Sequence, residues 1–398
     1  MIQSIIVYSF LMGVMLLFAV YAASKSRYSS IATNGSHINK RSFWHFETIF
    51  PLLLFAVVFG MRYDVGVDHL DYVEIYLWKV YAGRNDFLFD LLSEIGWKLN
   101  LHYVVYFGII AFIQVFFFFY AFKDERFLYP FLVFFLFTNG DWGFWMNGIR
   151  QALAMCIWIY SIKFIEEKKI SKYLLWCFVA FLFHKSAIIL FIFYPILRSG
   201  RDYFKSIRSQ LILISAAFIF QFLFSNIIIR FEPLIEYYIN LLGSDLYRSY
   251  SMDSLMDSYK ENDGTGLVYI FRIVLNVVIV LYSSKLKMFY NSKRFNIIYF
   301  FFFIGLITSY MFPGGYISFT RPFRYFYIFQ SIVYSYFLYY LYKTKLKKLS
   351  EGKFHALLYY GLVIIFLGIF YLSQITSNEN AHSWYQFFFE HDVNGYPI

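Results

Sequence analysis

Residues 60–76, GMRYDVGVDHLDYVEIY, crowd Arg62, Asp64, Asp68, His69, Asp71 and Glu74 against the end of a long apolar run, residues 43–59. Charge this dense beside an apolar segment is costly in a bilayer unless it is used or solvated. A carboxylate set between aromatic side chains and Arg62 has the make-up of a general base that takes a proton from a hydroxyl group. A metal site is the weaker reading of Asp64, Asp68 and Asp71. Their D-x3-D-x2-D spacing has no matching His or Cys cluster, and a hard Mg²⁺ or Mn²⁺ ion would need further oxygens. No metal ligand is assigned.

A second set of candidates is cationic. Arg150 opens an apolar run in NGIRQALA, and Arg321 and Arg324 open another in FTRPFRYF, where Pro322 suits a first helical turn. A helix N-terminus already carries partial positive charge, so arginine there is unfavourable by a few tenths of a kcal/mol or more. The arrangement makes sense if an anion sits at both helix starts, and the guanidinium fork matches phosphate. The competing reading is that these side chains snorkel to lipid headgroups or pair with Asp141 or Glu232. Arg62 differs, because it follows its apolar run, where a cation suits the helix dipole. His184, Lys185 and Ser186 interrupt the apolar stretch 173–197, and the first two are candidates to hold a phosphate or orient a carboxylate.

The elements that must position these groups are membrane helices. Of 398 residues, 60% are hydrophobic and 15% charged, and the mean hydropathy is +0.54. Soluble domains run nearer half apolar and a quarter charged. Apolar runs of about twenty residues recur from end to end, the mark of an all-α, polytopic membrane protein with one integral domain. The net charge of +10 does not point to nucleic acid, because the Lys and Arg residues sit in short loops, where they set topology. Aromatics reach 25% and suit interfacial belts, bundle packing or stacking on sugar rings. Cys156 and Cys177 lie in apolar runs and read as small core residues.

Taken in order, the expected spans are 2–23, 43–61, 102–122, 127–137, 148–165, two half-length helices within 173–197, then 211–229, 267–284, 295–312, 325–342 and 354–375. A single helix over 173–197 would place Lys185 near mid-bilayer, at about 2.5–3.5 kcal/mol. Two helices of about 12–13 residues, roughly 18–20 Å each, meeting at 183–186 avoid that cost. The layout gives about twelve transmembrane helices with both termini outside. Residues 62–100, 138–148, 230–266, 313–323 and the tail 377–398 form one outer, catalytic face. Part of the first loop, 72–81, has the pattern of a surface-lying amphipathic helix. The turn signals of TNGDWGFWMNGIR read as an outer turn, and Asp86, Asp90 and the acids of 232–263 as solvated loop charge. There is no P-loop, GxGxxG, HExxH or CxxC pair, which argues against an ATP-driven mechanism.

Three segments resemble the EpsG-type family of bacterial exopolysaccharide and O-antigen polymerases of the Wzy class. They are RYDVGVDHLDY (62–72), IRQALA (149–154) and FHKSAII (183–189), with RPFRYF and the aromatic tail similar in kind. The resemblance covers about residues 45–390. It implies a GT-C-like glycosyltransferase at the periplasmic or outer face of the cytoplasmic membrane. The donor would be a growing glycan on undecaprenyl pyrophosphate, a substrate carrier rather than a cofactor. The acceptor would be the non-reducing sugar of a lipid-linked repeat, with no nucleotide sugar and no metal. Partners would be membrane lipids and a co-polymerase or chain-length regulator. Asp68 then fits the catalytic base, with Asp64 as alternative. Arg150, Arg321 and Arg324 would stabilise the departing pyrophosphate, His184 assisting. Arg62 would orient the acid or bind acceptor phosphate, and Lys185, Tyr72 and Gln151 would complete the substrate site. A lipid-linked oligosaccharide flippase, or a GT-C enzyme that transfers a monosaccharide from polyprenyl phosphate, are the alternatives.

Overall fold

The computed structural model describes residues 1–31, 42–81, 86–221, 223, 266–312, 321–345, 350–376 and 384–391. Most of the loop expected at 230–266, the turn residues 313–320 and the tail apart from 384–391 lie outside the described residues. The chain divides into two compact units, Met1–Ser199 with Tyr334–Ile398, and Gly200–Val333.

The first unit begins with α1 (Ile2–Ile31), α2 (Phe46–Gly60), the two-residue strand β1 (Arg62–Tyr63), α3 (His69–Leu77), α4 (Phe87–Lys98) and α5 (Tyr103–Ala121). It continues through α6 (Tyr129–Thr138), α7 (Asp141–Asn147), α8 (Ile149–Ser161), α9 (Lys163–Glu166), α10 (Ile170–Phe183), a 3-10 segment (Lys185–Ile192) and α11 (Phe193–Leu197). The second unit holds α12 (Ile207–Gln221), α13 (Leu267–Tyr290), α14 (Lys293–Met311) and the first turns of α15 (Arg324–Thr344). The rest of α15 belongs to the first unit, with α16 (Ser350–Ile365), a π-helical stretch Phe366–Tyr371, α17 (Leu372–Thr376) and strand β2 (Gln386–Phe387).

Among the described residues, five helices are long and apolar enough to cross a membrane: Ile2–Lys25, Tyr103–Ala121, Leu267–Tyr290, Lys293–Met311 and Glu351–Thr376. Shorter apolar helices are Phe46–Gly60, Arg126–Thr138, Ile170–Phe183, Lys185–Leu197 and Ile207–Gln221. By length and composition, then, five of the expected twelve spans qualify among the described residues. Helix α13 runs past the expected end of its span at 284 as far as Tyr290, where Asn291 ends it in the left-handed conformation.

Packing in the first unit runs through aromatic side chains. Phe55 stacks on Phe59 at 3.9 Å, Tyr8 meets Trp142 at 4.4 Å, and Phe118 lies edge-on to Trp145 at 5.3 Å. Such pairs contribute about 0.5–1.5 kcal/mol each beyond the area they bury. Helices α2 and α5 approach so closely at Gly60 that a Cβ there would overlap the Val104 carbonyl oxygen, with Gly108 just beside it. Small residues at a helix crossing let the backbones touch, the usual device for apolar helices in lipid.

The segment expected as an outer turn, residues 138–148, is instead largely helical and buried. Helix α7 places Trp142, Trp145 and Met146 in the core. The Asn-Gly steps mark its two ends, with Gly140 left-handed before it and Gly148 after it. The burial of three large apolar side chains outweighs the turn preference of the glycines.

The expected interruption near 183–186 is present. His184 is extended (φ −159°, ψ 119°) and separates α10 from the 3-10 segment. The limbs return alongside each other. The Tyr173 hydroxyl donates to the Leu190 carbonyl at 2.7 Å, and its ring lies 5.6 Å from that of Tyr194. Trp158 of α8 donates its indole N–H to the Tyr173 hydroxyl at 3.3 Å, fixing this hairpin to the bundle.

In the second unit, Lys287 pairs with Asp202 at 2.8 Å, the Tyr299 hydroxyl donates to Gln210 at 2.6 Å, and Asn276 donates to the Tyr310 hydroxyl at 3.0 Å. Arg321 lies in a 3-10 turn, Arg321–Phe323, and Arg324 opens α15.

Candidate functional site

The charged stretch is built on the end of α2. Arg62 is 3% exposed. Its Nη1 donates to the Phe59 carbonyl at 3.2 Å and its Nη2 to the Met146 carbonyl at 3.1 Å. These are acceptors near the C-termini of α2 and α7, where helix carbonyls lack intrahelical partners and a cation is favoured. Burial lowers the pKa of Arg62 to about 10, which leaves it charged at neutral pH. Among the described residues its hydrogen bonds go to these carbonyls rather than to Asp64 or Asp68.

The tail completes this end. Strand β1 pairs antiparallel with β2, Arg62 opposite Phe387 and Tyr63 opposite Gln386. The Phe388 N–H donates to the Met61 carbonyl at 2.9 Å, and the Tyr385 hydroxyl to the Val58 carbonyl at 2.6 Å. His391 stacks on Tyr63 at 4.2 Å.

From Tyr63 the chain turns sharply into α3. Asp64 (φ 48°) and Gly66 (φ 100°) are both left-handed. At Gly66 a side chain is also excluded by contact, because a Cβ would overlap Asn147 Oδ1. The turn leaves Asp64 and Asp68 exposed. Asp68 holds the N-cap position of α3 without a side-chain hydrogen bond to the helix. Its carboxylate therefore faces solvent beside the positive end of the helix dipole. His69, by contrast, is fully buried. Its Nε2 lies 3.1 Å from the Arg62 carbonyl, and burial, followed by the charge of Arg62, pushes its pKa well below 6.5. The ring is thus neutral, Nε2–H donates to the carbonyl, and Nδ1 has no hydrogen-bond partner among the described residues.

One turn beyond Asp68, Tyr72 reaches Arg150. Positions i and i+4 share a helix face, so Asp68 and Tyr72 lie on the same side of α3. Arg150, the second residue of α8, is 4% exposed. Its Nε donates to the Tyr72 hydroxyl at 3.4 Å, its Nη1 to Asp86 Oδ2 at 2.8 Å, and its guanidinium lies 5.8 Å from the Phe89 ring. Asp86 is 5% exposed, so the expectation of a solvated charge is overturned for it. It stands at the N-cap of α4 but makes no side-chain bond to that helix. The backbone N–H of Lys185, the first residue after the hairpin break, also acts on this carboxylate. Burial raises the pKa of Asp86, opposed by Arg150 and by the Lys185 N–H. Asp90, a turn further along α4 and half-buried, is raised for the same reason.

The hairpin tip joins the same cluster. His184 Nδ1 lies 2.7 Å from Ser186 Oγ, and Gln151 Nε2 donates to that hydroxyl at 3.4 Å. The Lys185 side chain is exposed. Gln114 of α5 braces the α7–α8 junction by donating to the carbonyls of Ile149 at 3.1 Å and Trp145 at 3.4 Å. Tyr72, Arg150, Gln151, His184 and Lys185, five residues read from sequence as catalytic or substrate-binding candidates, thus come together in the first unit. Asp68 stands on the same helix face as Tyr72. Arg62 has its own place at the α2–α7 ends, and Arg321 and Arg324 belong to the second unit.

Asp86 was the residue missed. An aspartate immediately before an apolar helix reads as an N-cap, and nothing in its local sequence announces partners at positions 150 and 185. Among the described residues no group of three or more His, Cys, Asp or Glu side chains is placed to hold a metal ion. Chemically, the cluster offers an exposed carboxylate, a buried guanidinium held by an internal counter-ion, and an exposed ammonium at a hairpin tip.

A model of the EpsG family matches residues 45–389. No curated protein and no solved structure matches the chain.

Proposed function

The chain belongs to the EpsG family, and from that premise we propose that it polymerises lipid-linked oligosaccharide repeat units at the outer face of a bacterial cytoplasmic membrane. Family membership carries a polysaccharide polymerase-type role. The finer reading is that the growing glycan moves from undecaprenyl pyrophosphate to the non-reducing end of the next lipid-linked repeat. Asp68, or Asp64 beside it, takes the proton of the acceptor hydroxyl. The hydroxyl oxygen attacks the anomeric carbon, the bond from that carbon to the pyrophosphate oxygen breaks, and undecaprenyl pyrophosphate leaves with the electron pair. Configuration inverts. Arg150 and Lys185 stabilise the charge on the departing group, with His184 assisting. Donors aimed at developing charge are worth about 3–4 kcal/mol each in comparable sites.

The observation that carries this reading is the meeting of three sequence-distant segments. Arg150 of α8 bonds both the Tyr72 hydroxyl of α3 and the Asp86 carboxylate, on which the backbone N–H of Lys185 at the hairpin tip also acts, next to an exposed aspartate at a helix N-terminus. The test is polymerisation by the purified full chain from a synthetic undecaprenyl-pyrophosphate-linked repeat, with and without EDTA. A product ladder that persists in EDTA is expected. Translocation of the lipid-linked repeat without elongation would favour a flippase. Addition of a single sugar from a polyprenyl-phosphate donor would favour a monosaccharide transferase.

A further inference from the structure

Asp86 has no role in the chemistry described above, yet it bonds the Arg150 guanidinium and feels the backbone N–H of Lys185 at the hairpin tip. It comes from the segment before α4, Arg150 from α8, and Lys185 from the broken hairpin. Without its partner, a guanidinium with a 5% exposed side chain would be an uncompensated buried charge. It would relax by turning toward whatever acceptor or water it could reach. The Tyr72 hydroxyl, a long 3.4 Å bond from Nε, is too weak a contact to hold it alone.

We propose that Asp86 is the positioning residue of this site: one carboxylate fixes the direction of the Arg150 guanidinium and the height of the His184–Ser186 tip, so that both face the reacting group together. The proposal rests on the polymerase reading. Three observations support a positioning role over general packing. Asp86 forgoes the N-cap bond to its own helix, the use its sequence position suggests. Its carboxylate spends one bond on the Nη1 of Arg150, which turns the guanidinium about a fixed edge. Among the described residues Nη2 has no hydrogen-bond partner, so the edge that Asp86 leaves uncovered remains for a ligand oxygen. An arginine held in this way presents its charge in one geometry, which is what catalysis by preorganised charge requires.

The test is steady-state polymerisation by the full-length protein with Asp86→Asn, Asp86→Glu and Arg150→Lys, and with Asp86→Asn combined with Arg150→Lys. Polymerisation by the unaltered protein tests the underlying reading by itself, so its failure is distinguishable from failure of the present proposal. With the unaltered protein active, Asp86→Asn is expected to lower kcat at least tenfold while KM moves less than twofold. In the Arg150→Lys background the same change should cost less than threefold further, because the geometry it protects is already lost. A kcat within twofold of the unaltered protein, or an equal loss in both backgrounds, overturns the proposal. If Asp86→Asn does not accumulate as folded protein, Asp86→Glu decides. A fall in kcat of threefold or more at unchanged Tm supports positioning, because the charge is kept and only its reach differs. A lowered Tm with unchanged kcat shows a merely structural carboxylate and overturns it.

Discussion

Asp86 Oδ2 lies 2.8 Å from Arg150 Nη1, and both side chains are almost wholly withdrawn from solvent. The guanidinium at the start of α8 thus has a counter-charge supplied by the chain itself. Removing one partner of a buried pair costs about 3–5 kcal/mol, more than the pair contributes as a whole. The pair is best understood as geometry retained for use.

That pair makes activity sensitive to acid. Burial raises the Asp86 pKa, with Asp90 adding to the rise and Arg150 and Lys185 opposing it. The folded state therefore binds this proton more tightly than the unfolded chain does. The contribution of Asp86 to stability is greatest below the ordinary aspartate pKa and declines as pH rises through its raised folded value. Activity goes the other way, because protonation removes the counter-charge of Arg150. The rate of polymerisation should fall on acidification along a limb lying above the ordinary aspartate range. A pH–rate profile with no such limb would exclude control by this carboxylate.

Asp68→Asn should abolish most turnover while leaving the fold intact. The side chain is exposed and makes no cap bond, so stability has little to lose. Loss of a general base typically costs about 10²–10⁴-fold in rate. Asp64→Asn, measured beside it on the same lipid-linked substrate, identifies the base. The larger loss marks the proton acceptor, and two small losses would remove both from that role.

Arg62→Ala is expected to act on stability. It removes two hydrogen bonds from a charged donor to buried carbonyls, each worth about 1.5–3 kcal/mol. Thermal unfolding of the purified variant should show a lowered Tm, and the protein level in membranes should drop. An Arg62→Ala protein of unaltered Tm and no activity would instead place the guanidinium on the substrate.

Gly66→Ala combines a left-handed backbone with a steric overlap at Asn147. Strain at such a position costs about 1–3 kcal/mol. The turn into α3 should shift, and activity should fall together with Tm. Asn147→Ala in the same chain should relieve the overlap but not the backbone strain, so that only part of the Tm returns.

Local sequence was enough for features governed by nearby chemistry. His184-Lys185-Ser186 in an apolar run revealed the hairpin break, because burying Lys185 in a straight helix is costly whatever surrounds it. The crowding of charge after Phe59 marked the end of the apolar run that becomes α2. Features that depend on distant partners were hidden. Asp86 looks like loop acid until residues 150 and 185 are brought to it. The pairing of Arg62–Tyr63 with Gln386–Phe387 links positions more than 300 residues apart through backbone atoms, which leave no trace in side-chain pattern. Residues 141–147 carry turn glycines at both ends, and only the tertiary burial of Trp142 and Trp145 makes them a helix.

The hairpin has a consequence for parity. Helix α10 has 14 residues, about 21 Å at the α-helical rise, against a hydrocarbon thickness of about 30 Å. Since Tyr173 meets Leu190 and Tyr194, the chain comes back to the end from which it started. A segment that departs and returns on one side adds an even number to the tally of crossings. Reporter tags inserted after Lys169 and after Gly200 should therefore read the same compartment, and every loop that follows keeps the sidedness an uninterrupted helix would have reversed.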